Sequence, residues 1–116
     1  MDKDLELKEL NQFHGTERYT NVLGANVTDG VVYIMKCGYS WFVTDMLVIV
    51  KSKNFPKIAE QEFLVIKLKV KDSKAVATIE DGNGGVLYKQ KYQYTDAKKD
   101  LTLYFEGNVL MLSGEY

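Results

Sequence analysis

The sequence predicts an α+β fold: a five-stranded antiparallel meander with one or two helices packed on its apolar face. Three observations carry this reading. From Phe63 onward, apolar and polar residues alternate with a period of two, as in strands with one buried side. Short Asp-, Ser-, Asn- and Gly-containing stretches separate these runs at hairpin spacing. Upstream, the apolar residues recur at helical spacing, which supplies the cover that a one-sided sheet requires. The 116 residues, 46% apolar and 27% charged, suit one domain over 1–116, with a helix and loop part at 1–56 and a sheet part at 62–116.

Taken in order, residues 4–10 suit a short helical turn anchored only by Leu5, Leu7 and Leu10. "TERYTNV", Thr16 to Val22, is β-branched and aromatic enough for a short strand. "TDGVVYIMKCG" reads as a helix, with Thr28 or Asp29 as its N-terminal cap and Gly38 as a left-handed residue at its end. A second helix follows in "YSWFVTDMLVIVKSKNFP", capped by Ser40 and ended before Pro56. Phe42, Val43, Met46, Leu47, Ile49 and Val50 form its apolar face, while Trp41, Thr44, Asp45, Val48, Lys51 and Ser52 lie opposite. Its β-branched residues leave a strand as the competing reading.

In the sheet part, a two-residue turn at Asp72-Ser73 sets Val70 against Ala75, Leu68 against Ala77 and Ile66 against Ile79, all on one face. The stretch "IEDGNGGVLYKQ" closes the next hairpin, with Asp81 opposite Val86, Ile79 opposite Tyr88 and Ala77 opposite Gln90. A turn at Gly107-Asn108 joins "LTLYFE" to "VLMLSG", placing Leu103, Phe105, Leu110 and Leu112 on the inner face.

The net charge of −1 argues against a dedicated polyanion binder but leaves room for a local basic patch. A single cysteine, Cys37, allows no internal disulfide and points to a reducing, cytoplasmic setting. The N-terminus lacks the apolar run of a signal peptide. The longest apolar region, Trp41 to Val50, is broken by Thr44 and Asp45, so no membrane span is expected.

Few residues suggest chemistry. Counted as a calcium loop from Asp81, the glycine-rich stretch offers Asn83 at position 3, but then Gly85 at 5, Val86 at 6 and Tyr92 at 12, so the ligand pattern fails. A phosphate loop needs a following Lys-Ser/Thr and a helix, and here a strand follows. One histidine, His14, and one cysteine make neither a triad nor a zinc site. Glu17, Asp29, Asp45, Asp81 and Asp96 are spaced as no recognisable acid pair, and Asp45 in mid-helix suits a hydrogen bond to a loop or to a tyrosine hydroxyl. No catalytic residue, metal or cofactor is therefore assigned. A small hydrolase using the acidic residues stands as the last of three functional readings.

The clearer pattern is basic. Lys67, Lys69, Lys71, Lys89 and Lys91 share the outer face of the sheet, with Thr78 and Glu80 among them and Tyr104 as the aromatic predicted outside. Such a face is either merely solvated or a docking surface for nucleic acid or an acidic protein. Trp41, with Tyr39 beside it, is a second candidate anchor.

"FHGTERY", "TDGVVYIMKCGYSWFVTD", "DGNGG" and "YTD" together resemble a family of small uncharacterised proteins from bacterial chromosomes, plasmids and phages, classed as a domain of unknown function. The resemblance runs from Phe13 to about Tyr104. The chain departs from it after the tryptophan, where "MLVIVKS" replaces a small, Ala-rich helix. The resemblance implies a mobile-element accessory protein and no particular reaction. The leading expectation is thus a non-catalytic binding protein of a phage or mobile element. It would inhibit a host defence nucleoprotein complex in the manner of an anti-CRISPR, through a host protein or ribonucleoprotein partner. A nucleic-acid-binding accessory module using the lysine face is the second.

Overall fold

The computed structural model describes residues 19–115, and a mixed α+β architecture emerges from it: a seven-stranded sheet with one long, bent helix on one face. The N-terminal turn expected at 4–10, and His14, Thr16 and Glu17, lie outside the described residues. In chain order the strands are β1 (Thr20–Val22), β2 (Ala25–Val27), β3 (Phe63–Lys71), β4 (Lys74–Glu80), β5 (Val86–Tyr92), β6 (Leu101–Glu106) and β7 (Val109–Leu112). In space their order is β1-β2-β7-β6-β3-β4-β5.

The five expected strands are all present, and two hairpin registers hold. Val70 faces Ala75, Leu68 faces Ala77 and Ile66 faces Ile79. Asp72 and Ser73 both take positive φ, 54° and 62°, the twist that a two-residue hairpin turn demands. Gly107 and Asn108 do the same at the β6–β7 turn, and Leu103 faces Leu112. The β4–β5 hairpin departs slightly: Ile79 faces Tyr88 and Ala77 faces Gln90, but Glu80, not Asp81, faces Val86. Leu87 is the extra residue of a bulge. The cause is Asp81, whose Oδ1 accepts the N–H groups of Asn83 (2.8 Å) and Gly85 (2.9 Å), so it belongs to the loop instead of the ladder.

The meander itself is corrected. After β5 the chain recrosses the end of the sheet, and β6 pairs with β3, not β5. Leu64, Ile66 and Leu68 of β3 are almost fully buried, so the longest and most apolar strand takes an interior position between β6 and β4. Tyr88, Gln90 and Tyr92 of β5 are only half-buried and suit an edge. Residues 93–100 are anchored along the way: Thr95 N–H donates to Ser73 O (2.8 Å), and Val70 N–H donates to Asp100 Oδ1 (2.7 Å).

β1 and β2 extend the sheet at its other edge. They form a hairpin through Leu23 and Gly24, both of positive φ. β2 then runs parallel to β7, Val27 beside Leu110. Asn108 ties this corner together, donating from Nδ2 to Gly24 O (3.0 Å) and accepting from Lys51 Nζ (2.8 Å).

The helical segment is one bent rod, not two helices. It comprises α1 (Asp29–Ile34), a widened turn (Met35–Tyr39) and α2 (Ser40–Val50). Thr28 is the cap, its hydroxyl accepting Val31 N–H. Gly38 has φ 102°, the left-handed geometry expected of it, but the helix resumes at once. Ser40 does not cap; its hydroxyl donates to Met35 O (3.0 Å) and stitches the kink. Phe42, Val43, Met46, Leu47 and Val50 are buried against the sheet, while Val48 is exposed. Counted through the kink, Asp29–Val50 is 22 residues and, by length and composition alone, apolar enough to cross a membrane. In this fold its apolar side is part of the core. A short α3 (Pro56–Ala59) starts at Pro56 and buries Ile58.

Candidate interaction surface

The sheet face opposite the helix is built by strand alternation alone. Lys67, Lys69 and Lys71 of β3 point there, because Leu64, Ile66 and Leu68 point to the helix. Pairing lines up Lys67, Thr78 and Lys89 in one row, Lys69, Val76 and Lys91 in the next, and Lys71 beside Lys74 at the end. With neighbouring strands roughly 4.8 Å apart, the lysine backbones of β3 and β5 are about 10 Å apart, close to one Debye length at about 0.1 M salt. Their fields therefore overlap. Lys67 is held by a 3.3 Å salt bridge to Glu80, whose other oxygen accepts from Thr78 (3.2 Å). Lys69, Lys71, Lys74, Lys89 and Lys91 are exposed. Lys74 escaped the sequence reading because it directly follows the turn, yet counting back by twos from Val76 finds it.

The other end of the same face is largely apolar, with Glu106 exposed between Phe63 and Val109. Met111, Tyr104 and Val65 form one row, next to Phe63 and Val109, all half-buried. The rings of Tyr104 and Phe63 lie 5.1 Å apart and tilted. Tyr104 therefore shares its face with a second aromatic, which the alternation placed there and the sequence reading did not count.

Tyr39 belongs to neither end. It is fully buried, its hydroxyl accepting the N–H of Lys99 (3.3 Å), so the expected role as a partner contact is withdrawn. The reason is Gly38: the kink turns the next side chain inward, under the 93–100 crossing. Trp41 is half-buried on the helix side of the sheet and shares no surface with the lysines. It packs edge-on with Tyr92, ring centres 4.9 Å apart and planes 71° apart. Asp45 accepts the Tyr92 hydroxyl proton at 2.8 Å, the tyrosine bond expected for it. Burial first, then the hydrogen bond and charge of Asp45, hold the Tyr92 hydroxyl well above the ordinary tyrosine range.

Among the described residues no three His, Cys, Asp or Glu side chains gather where they could hold a metal ion. Cys37 is buried in the kink. The model of a family of unknown function, DUF6876, matches residues 4–116. The chain belongs to that family. No curated protein and no solved structure matches this DUF6876 member. What its geometry offers is therefore weighed on its own residues: a basic sheet end, an apolar sheet end, and a tryptophan corner on the opposite face.

Proposed function

We propose that this DUF6876 protein is a non-catalytic binding protein that docks an acidic surface of a partner protein or nucleoprotein complex through the basic end of its sheet. The observation that supports this reading is the gathering of Lys67, Lys69, Lys71, Lys74, Lys89 and Lys91 on three adjacent strands of one face, in a chain whose net charge is −1. Such concentration of one sign steers an oppositely charged partner and fixes its orientation. The mobile-element setting implied by the resemblance makes a cytoplasmic host defence complex the first partner class to test.

The test is capture from host lysate by the tagged protein and by its K67E/K69E/K89E variant, with mass spectrometry of what is retained. Recovery of a defence or nucleic-acid-processing complex by the parent and its loss in the variant support the reading. Equal recovery by both, or recovery of neither class of partner, overturns it. A second reading, direct nucleic-acid binding, draws on Phe63 and Tyr104, whose rings share the lysine face. Affinity for an RNA or DNA oligomer would then fall with salt by roughly 0.7–0.9 log units per log unit for each phosphate engaged.

A further inference from the structure

We propose a second recognition site, independent of the lysine face: the corner between Trp41, Tyr92 and Tyr94 receives the guanidinium of an arginine side chain presented by a partner protein. Trp41, Tyr92, Tyr94, Thr95 and Asp96 line a cleft of about 310 Å³ that opens to solvent on one side. That volume is ample for one long side chain.

Two of its walls are fixed. The Trp41 and Tyr92 rings stand 71° apart with centres 4.9 Å apart. Tyr92 is oriented by its hydroxyl, which donates to Asp45 at 2.8 Å across 47 positions of sequence. The third ring, Tyr94, is 77% exposed at the mouth, a large cost in exposed apolar area for a residue with no packing duty. It follows Tyr92 by two positions, just beyond the end of β5, where the chain leaves the sheet.

Charge selects the occupant. Aromatic faces are negative, and Asp96 on the lining and Asp45 behind Tyr92 add carboxylates. Lys91 adjoins Tyr92 in sequence, but strand alternation sends it to the other side of the sheet. A cation is therefore favoured over an anion or a neutral ring. Of the protein cations, guanidinium is planar and weakly hydrated and stacks flat on an aromatic face; an ammonium meets the ring as a compact point charge, at greater desolvation cost. The open side suits stacking of a planar cation against the rings.

The chain has one tryptophan, so a single indole N–H resonance reports on the corner. The full-length protein is titrated with N-acetyl-arginine amide, N-acetyl-lysine amide and tetramethylammonium chloride, following that resonance. A saturable shift with the arginine amide is expected, with a dissociation constant on the order of 1 mM and roughly fivefold weaker binding of the lysine amide. Tyr94→Ala should weaken arginine binding about fivefold or more while leaving the circular dichroism and thermal midpoint in place, since that ring is exposed. The K67E/K69E/K89E variant should bind the arginine amide as the parent does, so the failure of one site is read separately from the failure of the other. No saturable shift, equal response to arginine and lysine, preference for tetramethylammonium, or indifference to Tyr94→Ala would each overturn the proposal.

Discussion

Glu115 joins the end of the sheet to the start of the helix, and its removal should be costly out of proportion to its place in the chain. Its carboxylate accepts the Thr28 hydroxyl proton at 2.6 Å, Leu112 N–H at 3.0 Å and Gly30 N–H at 3.3 Å. Gly30 N–H is one of the helix's orphan amide donors, and Thr28 is the residue that caps that helix. The carboxylate also sits at the positive end of the helix dipole. Hydrogen bonds to a charged group contribute roughly 1.5–3 kcal/mol each, but Glu115 is half-buried and water can replace part of what is lost. Glu115→Ala should therefore cost about 2–4 kcal/mol, and Glu115→Gln, which keeps an acceptor and loses the charge, roughly half of that. In urea, with a slope of about 1–3 kcal/mol/M for a small domain, the midpoint of the circular dichroism transition should fall by roughly 1–2 M. Paired with Thr28→Val in a double-mutant cycle, the two changes should couple by about 1 kcal/mol. A Glu115→Ala loss below about 0.5 kcal/mol, or additivity with Thr28→Val, would refute the reasoning. Gly30 belongs to the same joint, because an added Cβ would lie 2.5 Å from Leu112 Cδ1 and 2.6 Å from Glu115 Oε1.

Two further outcomes follow from the helix side of the sheet. The Tyr92 hydroxyl titrates above the ordinary value of 10.0, so the folded state holds that proton more tightly than the unfolded chain. Its contribution to stability is then full below about pH 10 and declines as pH rises beyond it, and Tyr92→Phe should flatten that alkaline decline when thermal midpoints are compared from pH 8 to 11. A parent and variant that decline in parallel would remove the Asp45–Tyr92 bond from the account. Gly38→Ala forces a side chain into a backbone of φ 102°, at a cost of about 1–2 kcal/mol or more, seen as a fall of several degrees in the melting midpoint; an unchanged midpoint would mean the kink has relaxed.

Local signals in the sequence were read well, and long-range ones were not. Alternation and turn chemistry place the lysines, the two-residue hairpins at Asp72-Ser73 and Gly107-Asn108 and the inner faces of β3, β4, β6 and β7, because each depends on residues a few positions apart. The pairing of β6 with β3 depends on competition among strands for the interior positions, a property of the whole sheet. Its trace was the eight-residue stretch 93–100 after β5, too long for an ordinary hairpin loop. β2 was missed because three residues cannot show a period, and its parallel partner lies more than eighty positions away. Gly38 was placed correctly in the left-handed region and misread as a stop, since the same φ either ends a helix or kinks it. The tryptophan corner was half legible: Trp41 stood out on a polar stripe, but Tyr92 and Tyr94 reach it only through the course of β5.

The parallel seam between β2 and β7 also sets an order of events during synthesis. β1, β2 and the helix emerge from the ribosome early, yet β2 has its only other neighbour in β7, and the helix cap is completed by Glu115. Until residues 109–115 are out, the first hairpin has no second strand to lean on and the helix start lacks its carboxylate. Loop-closure entropy over some eighty residues must be met before that contact forms, which slows the step relative to the local hairpins. The nascent chain thus carries an apolar helix of 22 residues with its final partner still unmade, the stage at which a chaperone or a misplaced strand would find it.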